Sequence, residues 1–252
     1  MQNNTFPTLF VGRSIQKLAE VDSTNNYLKT MLSNYGPPAN GTVIMADHQT
    51  AGRGQYGSKW STPPGKNLTV SFYLKTDFLT VTEQFNLNKA VSLAVKDCLT
   101  YFSVEDCKVK WPNDIYIKNK KIAGILIENR IRGVHLRDSI IGIGLNVNQN
   151  DFHDLIYATS LLNIKKKETD LEEVLMILSQ YLESRFFELK SQKNLDEDYF
   201  NSLFLFNQIS TFNSKGEIFT GKIIGVDVDG KLLIDTESEL RSFNIKEVTF
   251  VL

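Results

Sequence analysis

The chain has 252 residues, 28 Lys and Arg against 29 Asp and Glu, and 42% hydrophobic residues, which suits one substantial core or a main domain plus a small one. A net charge of −1 advertises no polyanion-binding surface, so no DNA partner is expected. Cys98 and Cys107 lie outside any CxxC spacing and His48, His135 and His153 are scattered, which argues against a disulfide framework and a zinc site and for two plain thiols in a reducing compartment.

Taken in chain order, VDSTNNYLKTMLSNYGPP is a helix. Asp22 or Ser23 can cap it, Tyr27, Leu28, Met31, Leu32 and Tyr35 form its apolar face, and Gly36-Pro37-Pro38 ends it. Residues 41–47 and 67–74 are buried strands, separated by about twenty residues rich in Gly, Pro, Ser and Lys, a length that marks a functional loop in a compact domain. Residues 85–102 carry Leu87, Ala90, Val91, Ala94, Val95, Cys98, Leu99 and Phe102 at helical spacing. A hairpin, NDIYIK and KIAGILIE, then leads to a strand at 138–148. A long amphipathic helix starts at Asp170 and Glu173 in a capping-box arrangement, and a short one follows near LDEDYFNSLF. From 206 to 252, five short strand-like runs separated by turns predict a small β-barrel appended to a domain of residues 1–205. Residues 1–20 have no basic-then-apolar leader, and the runs IAGILI and IIGIGLNV are too short to span a bilayer. A cytoplasmic protein without a membrane partner is expected.

Two stretches carry the chemistry. GRGQYGSKW (52–60) is a glycine-rich cationic loop suited to a phosphate or carboxylate. It matches G-x-G-x-x-G, yet Ser-Thr-Pro-Pro-Gly follows where a dinucleotide fingerprint needs a helix to start. KWPNDIYIKNKKIAGILIE (110–128) places Lys110, Asn113, Asp114 and Lys121 at the ends of a buried hairpin. Gly124, Gly142 and Gly144 interrupt buried strands, which usually marks a bulge or a close approach to the backbone.

STN (23–25), QTAGRG (49–54), KWPND, KIAGILIE and GIGLNVN (142–148) resemble, in order and spacing, the motif series of biotin protein ligases, and GVDVDGKLLI (225–234) resembles that family's C-terminal domain. The resemblance implies an α/β fold: a class II synthetase-like mixed sheet with flanking helices, plus an SH3-like C-terminal barrel. It implies activation of biotin by ATP to biotinyl-5′-AMP, with transfer to a lysine of a biotin carboxyl carrier protein. Ser23, Thr24, Asn25 and Gln49 would surround the biotin head group. Arg53, Gly54 and Gln55 would line the loop over the biotin carboxylate and the adenylate phosphate. Lys121 would contact both anions and, with Arg53, carry the catalysis. Lys110, Asn113, Asp114 and Asn146 would face the nucleotide, with Asp114 holding Mg²⁺, and Gly124 and Gly142 would shape the floor. Residues 49–66 are read as an ordering lid.

Two departures bear on these expectations. Many family members have a second arginine where Gln55 stands, so weaker electrostatic retention of the intermediate is expected. STN starts at residue 23, so a ligase without a repressor's DNA-binding domain is expected. A lipoate or octanoate transfer enzyme shares the architecture but would show a different loop signature with a histidine. A non-catalytic biotin sensor would not need the Arg53 and Lys121 pair. Exposed edge strands near the loop would permit a homodimer or carrier docking.

Overall fold

The computed structural model describes residues 8–152 and 155–251. His153, and the first seven residues of the stretch examined for a leader, lie outside them. The chain runs β1 (Ile15–Val21), α1 (Thr24–Tyr35), β2 (Val43–Gln49), β3 (Leu68–Lys75), α2 (Gln84–Tyr101), β4 (Cys107–Lys110), β5 (Asp114–Ile117), β6 (Lys120–Arg132) and β7 (His135–Leu145). Next come α3 (Leu161–Lys165), α4 (Leu171–Lys190), α5 (Asp196–Ser202), β8 (Ile209–Ser214), β9 (Glu217–Val226), β10 (Leu232–Asp235), β11 (Leu240–Phe243) and β12 (Thr249–Val251).

The first seven strands form a mixed sheet in the order β1-β2-β3-β7-β6-β5-β4, with only β1 and β2 parallel. Alternation along the strands gives its two faces different jobs. Val70 and Phe72 of β3, Ile141 and Ile143 of β7 and Ile125 of β6 join the main core, which includes the apolar faces of α2 and α4. On the other face Ile44, Tyr73 and Ile140 pack with Leu28 and Leu32 of α1. Beside α1 that face carries small residues in register: Ala46, Thr69, Gly144 and Gly124 form one row across four strands, and in the next row Ser71 and Gly142 lie between Ile44 and Leu126. Small side chains in the middle of a large sheet leave a hollow.

Local signals explain the elements around this hollow. Gly36, at φ 84°, ends α1, although Tyr35, expected on its apolar face, is exposed. Asp170 caps α4 by accepting from the Glu172 amide at 3.0 Å, whereas the capping box forms at Thr80 and Glu83. The expected hairpin continues further: β6 extends to Arg132 and pairs with β7 from Ala123 onward. Cys98 and Cys107 are buried and unpaired, and burial pushes the Cys107 thiol up to about 12. No helix among the described residues is long and apolar enough to cross a membrane.

The C-terminal strands correct one expectation. They form an open antiparallel sheet, β11-β10-β9-β8-β12, and not a closed SH3-like barrel: β11 and β12 are its two edges and do not pair. Closure is unnecessary because the larger body covers the sheet's apolar face. Phe250 packs on Phe204 as well as on Phe212 of the sheet itself, Gly230 lies against the Phe85 ring, and Gly225 lies against the Phe200 ring. The Trp111 indole donates to the Gly230 carbonyl at 2.9 Å.

Candidate functional site

The hollow is a cavity of about 140 Å³. Start at α1. Ser23 is its N-cap without a side-chain capping hydrogen bond, and it lines the cavity. The Thr24 amide and hydroxyl both donate to Gln49 Oε1, at 2.8 and 3.1 Å. Ser71 Oγ lies 2.7 Å from Thr24 Oγ1 and 2.5 Å from Asn25 Oδ1. A β-carbon on Gly142 would fall 2.5 Å from Asn25 Oδ1, so this glycine makes room for a side chain of α1.

The glycine-rich loop folds back on itself. Gly54 N donates to Ser58 O at 2.7 Å, Trp60 N to Gly52 O at 2.9 Å, and Arg53 bridges Lys59. Its base drops onto the sheet. The Trp60 indole covers Gly144 so closely that a β-carbon there would be 2.2 Å from Cε2. Arg53 reaches Glu128 near the middle of β6 with both terminal nitrogens, at 3.1 and 2.8 Å. The same carboxylate accepts from Lys29 at 2.7 Å and Asn25 at 2.9 Å. Burial works against the Glu128 charge, but the bonds from Lys29, Asn25 and Arg53 outweigh it and hold the carboxyl below its ordinary range. Across the cavity Lys121 Nζ pairs with Asp114 Oδ1 at 2.6 Å and lies 5.7 Å from the Trp60 ring centre.

Both cations are therefore already counterbalanced by carboxylates. Two buried donors, Arg53 Nε and Trp60 Nε1, have no acceptor, a costly arrangement that an oxygen-rich ligand would relieve.

Of the residues singled out from sequence, Ser23, Thr24, Asn25, Gln49, Arg53, Gly54, Gln55, Asn113, Asp114, Lys121, Gly124 and Gly142 line this one cavity. Lys110 and Asn146 do not. Lys110 Nζ donates to Tyr116 Oη at 3.3 Å and lies 4.6 and 5.0 Å from the Tyr116 and Phe250 ring centres. Burial is the main reason its ammonium is held below the usual lysine value. Asn146 Nδ2 donates to Thr159 O at 3.0 Å, which pins the segment that follows β7. That segment pairs with the Lys121 backbone, since Lys121 N donates to Tyr157 O at 2.7 Å and Thr159 N to Lys121 O at 2.9 Å. It exposes Leu155, Ile156 and Tyr157 beside the lysine.

Sequence reasoning missed the partnership of Glu128 with Arg53, the roofing of Gly144 by Trp60 and this apolar trio. The period-two spacing of Gly124, Leu126 and Glu128 could have placed Glu128 on the cavity face. No local signal links residues 155–157 to Lys121.

Residues 18–146 match the Biotin/lipoate A/B protein ligase family, and residues 206–250 match the Biotin protein ligase C terminal domain. The chain belongs to the biotin/lipoate A/B protein ligase family. Within that family, its relatives include the bifunctional ligase/repressor BirA of Bacillus subtilis, 33% identical over 88% of this chain and 69% of that protein. The biotin–[acetyl-CoA-carboxylase] ligase of Mycobacterium tuberculosis is 29% identical over 88% of this chain and 84% of its own length. Among solved structures of the family, the Aquifex aeolicus biotin protein ligase in complex with biotin and ATP superposes with a TM-score of 0.77 at 28% identity, covering 95% of this chain and 99% of that one.

Proposed function

We infer that this protein is an ATP-dependent biotin protein ligase, which activates biotin to biotinyl-5′-AMP and transfers the biotinyl group to a carrier protein. The observation that carries the reading is the single cavity into which the two motif cations, Arg53 and Lys121, converge, in a chain whose second sheet also matches the biotin ligase C-terminal domain.

In the first half-reaction a biotin carboxylate oxygen bonds to the ATP α-phosphorus and the bond to pyrophosphate breaks. Two anions must meet, so cations at the junction lower the repulsion and stabilise the spreading charge. We assign Lys121 and Arg53 to this task. Asp114 and Glu128 hold the two cations in place beforehand, so little rearrangement is left for the moment of reaction. Ser23, Thr24, Asn25 and Gln49 would take the polar head of biotin, and the orphan Arg53 Nε and Trp60 Nε1 would donate to substrate oxygens. In the second half-reaction an acceptor lysine amine attacks the anhydride carbonyl carbon, AMP leaves and the amine loses a proton. The mixed anhydride hydrolyses when wet, which gives loop 49–66 a purpose as a cover.

Mg²⁺ fits the donor set in a limited way. Among the described residues no three His, Cys, Asp or Glu side chains form a cage, but Mg²⁺ with ATP needs only one or two carboxylates beside phosphate and water oxygens. Asp114 would supply that carboxylate, and the ion would offset phosphate charge. The acceptor we propose is the carrier domain of a biotin-dependent carboxylase, and two buried free thiols suit a reducing cytoplasm. Residues 1–205 would house both half-reactions, with 206–252 as an accessory unit.

The test is mass spectrometry of the purified protein with ATP, Mg²⁺ and either biotin or lipoate. Bound biotinyl-AMP with pyrophosphate release is the expected result. Adenylation of lipoate alone would move the chain to the lipoate branch, and biotin binding without adenylate would make it a sensor.

A further inference from the structure

The glycine-rich loop has two attachments. Its base is held through Arg53 on Glu128 and Trp60 on Gly144. Its tip is Tyr56, a non-glycine residue at φ 52° in the short 3₁₀ turn Gln55–Gly57, with an exposed ring. That tip is met from outside by Lys246, which lies 190 residues further along the chain in the turn between β11 and β12. Lys246 Nζ donates to the Tyr56 carbonyl at 3.1 Å and sits 4.9 Å from the Tyr56 ring centre.

The Lys246 turn is built to present this side chain. Asn244 N donates to Glu247 Oε2 at 2.7 Å and Glu247 N returns to Asn244 O at 3.0 Å, which closes the turn locally. Ile245 packs on the core on one side and Val248 is buried on the other. Lys246 itself has a left-handed φ of 71° and is exposed. Two turn tips, each holding a non-glycine residue in a sparsely populated conformation, thus meet through one ammonium.

We propose that Lys246 is a positioning residue by which the C-terminal sheet latches the glycine-rich loop over the cavity, so that this sheet governs how long the ligand stays enclosed. The proposal rests on the ligase reading for what is enclosed; the latch itself does not depend on it. Gln55 and Tyr56 give the loop tip no cation of its own, and Lys246 brings one from the other sheet. Fixing the tip restrains Arg53 and Trp60, which lie on the two arms of the same small hairpin. The hydrogen bond and the ring contact of Lys246 both go to Tyr56, and neither residue lines the cavity, so its loss should leave the chemical step at saturating substrate intact and shorten ligand residence.

The test compares the full-length protein with Lys246→Ala and Lys246→Arg. Chymotryptic cleavage after Tyr56, followed by mass spectrometry without any ligand, reads the latch directly. Loss of one hydrogen bond and one exposed cation–π contact should speed cleavage about three- to tenfold in Lys246→Ala, with Lys246→Arg near wild type. With biotin and ATP, Lys246→Ala should release biotinyl-AMP faster by a similar factor and raise the KM for biotin, while kcat for adenylation stays within about twofold of wild type, a change too small to signal a lost transition-state contact. Unchanged cleavage in Lys246→Ala would overturn the latch, as would equal acceleration in Lys246→Arg, because the turn and not the ammonium would then be responsible. Altered cleavage in a protein that never adenylates biotin would leave the latch standing and remove the ligase reading instead.

Discussion

Replacing Glu128 by glutamine isolates what the cation arrangement contributes. Glutamine keeps the shape but loses the charge, and turns an N–H donor towards either Arg53 or Lys29. The carboxylate now accepts from Arg53 twice, from Lys29 and from Asn25. Lys29 is well exposed, so its share is small and the Arg53 fork dominates. Hydrogen bonds to charged groups contribute about 1.5–3 kcal/mol each when well shielded. With a side chain still partly open to solvent, a net loss of about 1–2 kcal/mol is expected, which lowers Tm by roughly 2–8 °C in a chain of this size. Arg53 would also lose its fixed orientation, and displacement of a reacting group by about an ångström can cost on the order of 100-fold in rate. Biotin-dependent ATP–pyrophosphate exchange should therefore show kcat/KM down by about 10- to 100-fold. The pH dependence carries a sign. The folded carboxyl is held below its ordinary range, so its stabilising contribution is complete above the unfolded-state value and is lost as pH falls through the folded one. The Tm gap between wild type and Glu128→Gln should be widest near neutrality and close in acid. Exchange as fast as or faster than wild type would refute the reasoning, since Glu128 would then be an anion competing with substrate for Arg53.

Other perturbations test the remaining parts of the site. Gly144→Ala would drive a methyl into the Trp60 ring; overpacking of about 1–3 kcal/mol should displace the indole, seen as a shift in tryptophan emission and weaker biotin binding by calorimetry. Lys121→Met removes the cation paired with Asp114; single-turnover adenylate formation should fall by about 100-fold or more, with Tm changed by little. Tyr157→Ala removes an exposed aromatic beside Lys121, a suitable face for a nucleobase; the KM for ATP should rise by about 5- to 50-fold with the KM for biotin nearly constant.

Much of the site was legible because its residues are short-range features of single segments. STN sits at a helix start, GRG in a loop too long to be a connector, and KWPND and KIAGILIE on one hairpin, and each local pattern already restricts where its polar groups can point. The helices were legible for the same reason: the spacing of Leu87 to Phe102 marks an apolar helical face, although the fold buries every residue from Leu87 to Val95, polar ones included. What the sequence could not give is pairing at a distance. The row Ala46, Thr69, Gly144 and Gly124 exists only because four strands align in register, and register across non-adjacent strands is set by the packed core rather than by any single segment. Likewise Gly142 and Gly144 announced a close approach, but only the fold shows that Asn25 and Trp60 make it. Turn spacing suggested a closed C-terminal barrel; the sheet stays open because Phe204, Phe200 and Phe85 of the larger body cover the apolar face that closure would have buried. Local chemistry thus named the groups, and burial of apolar surface between distant segments decided which of them meet.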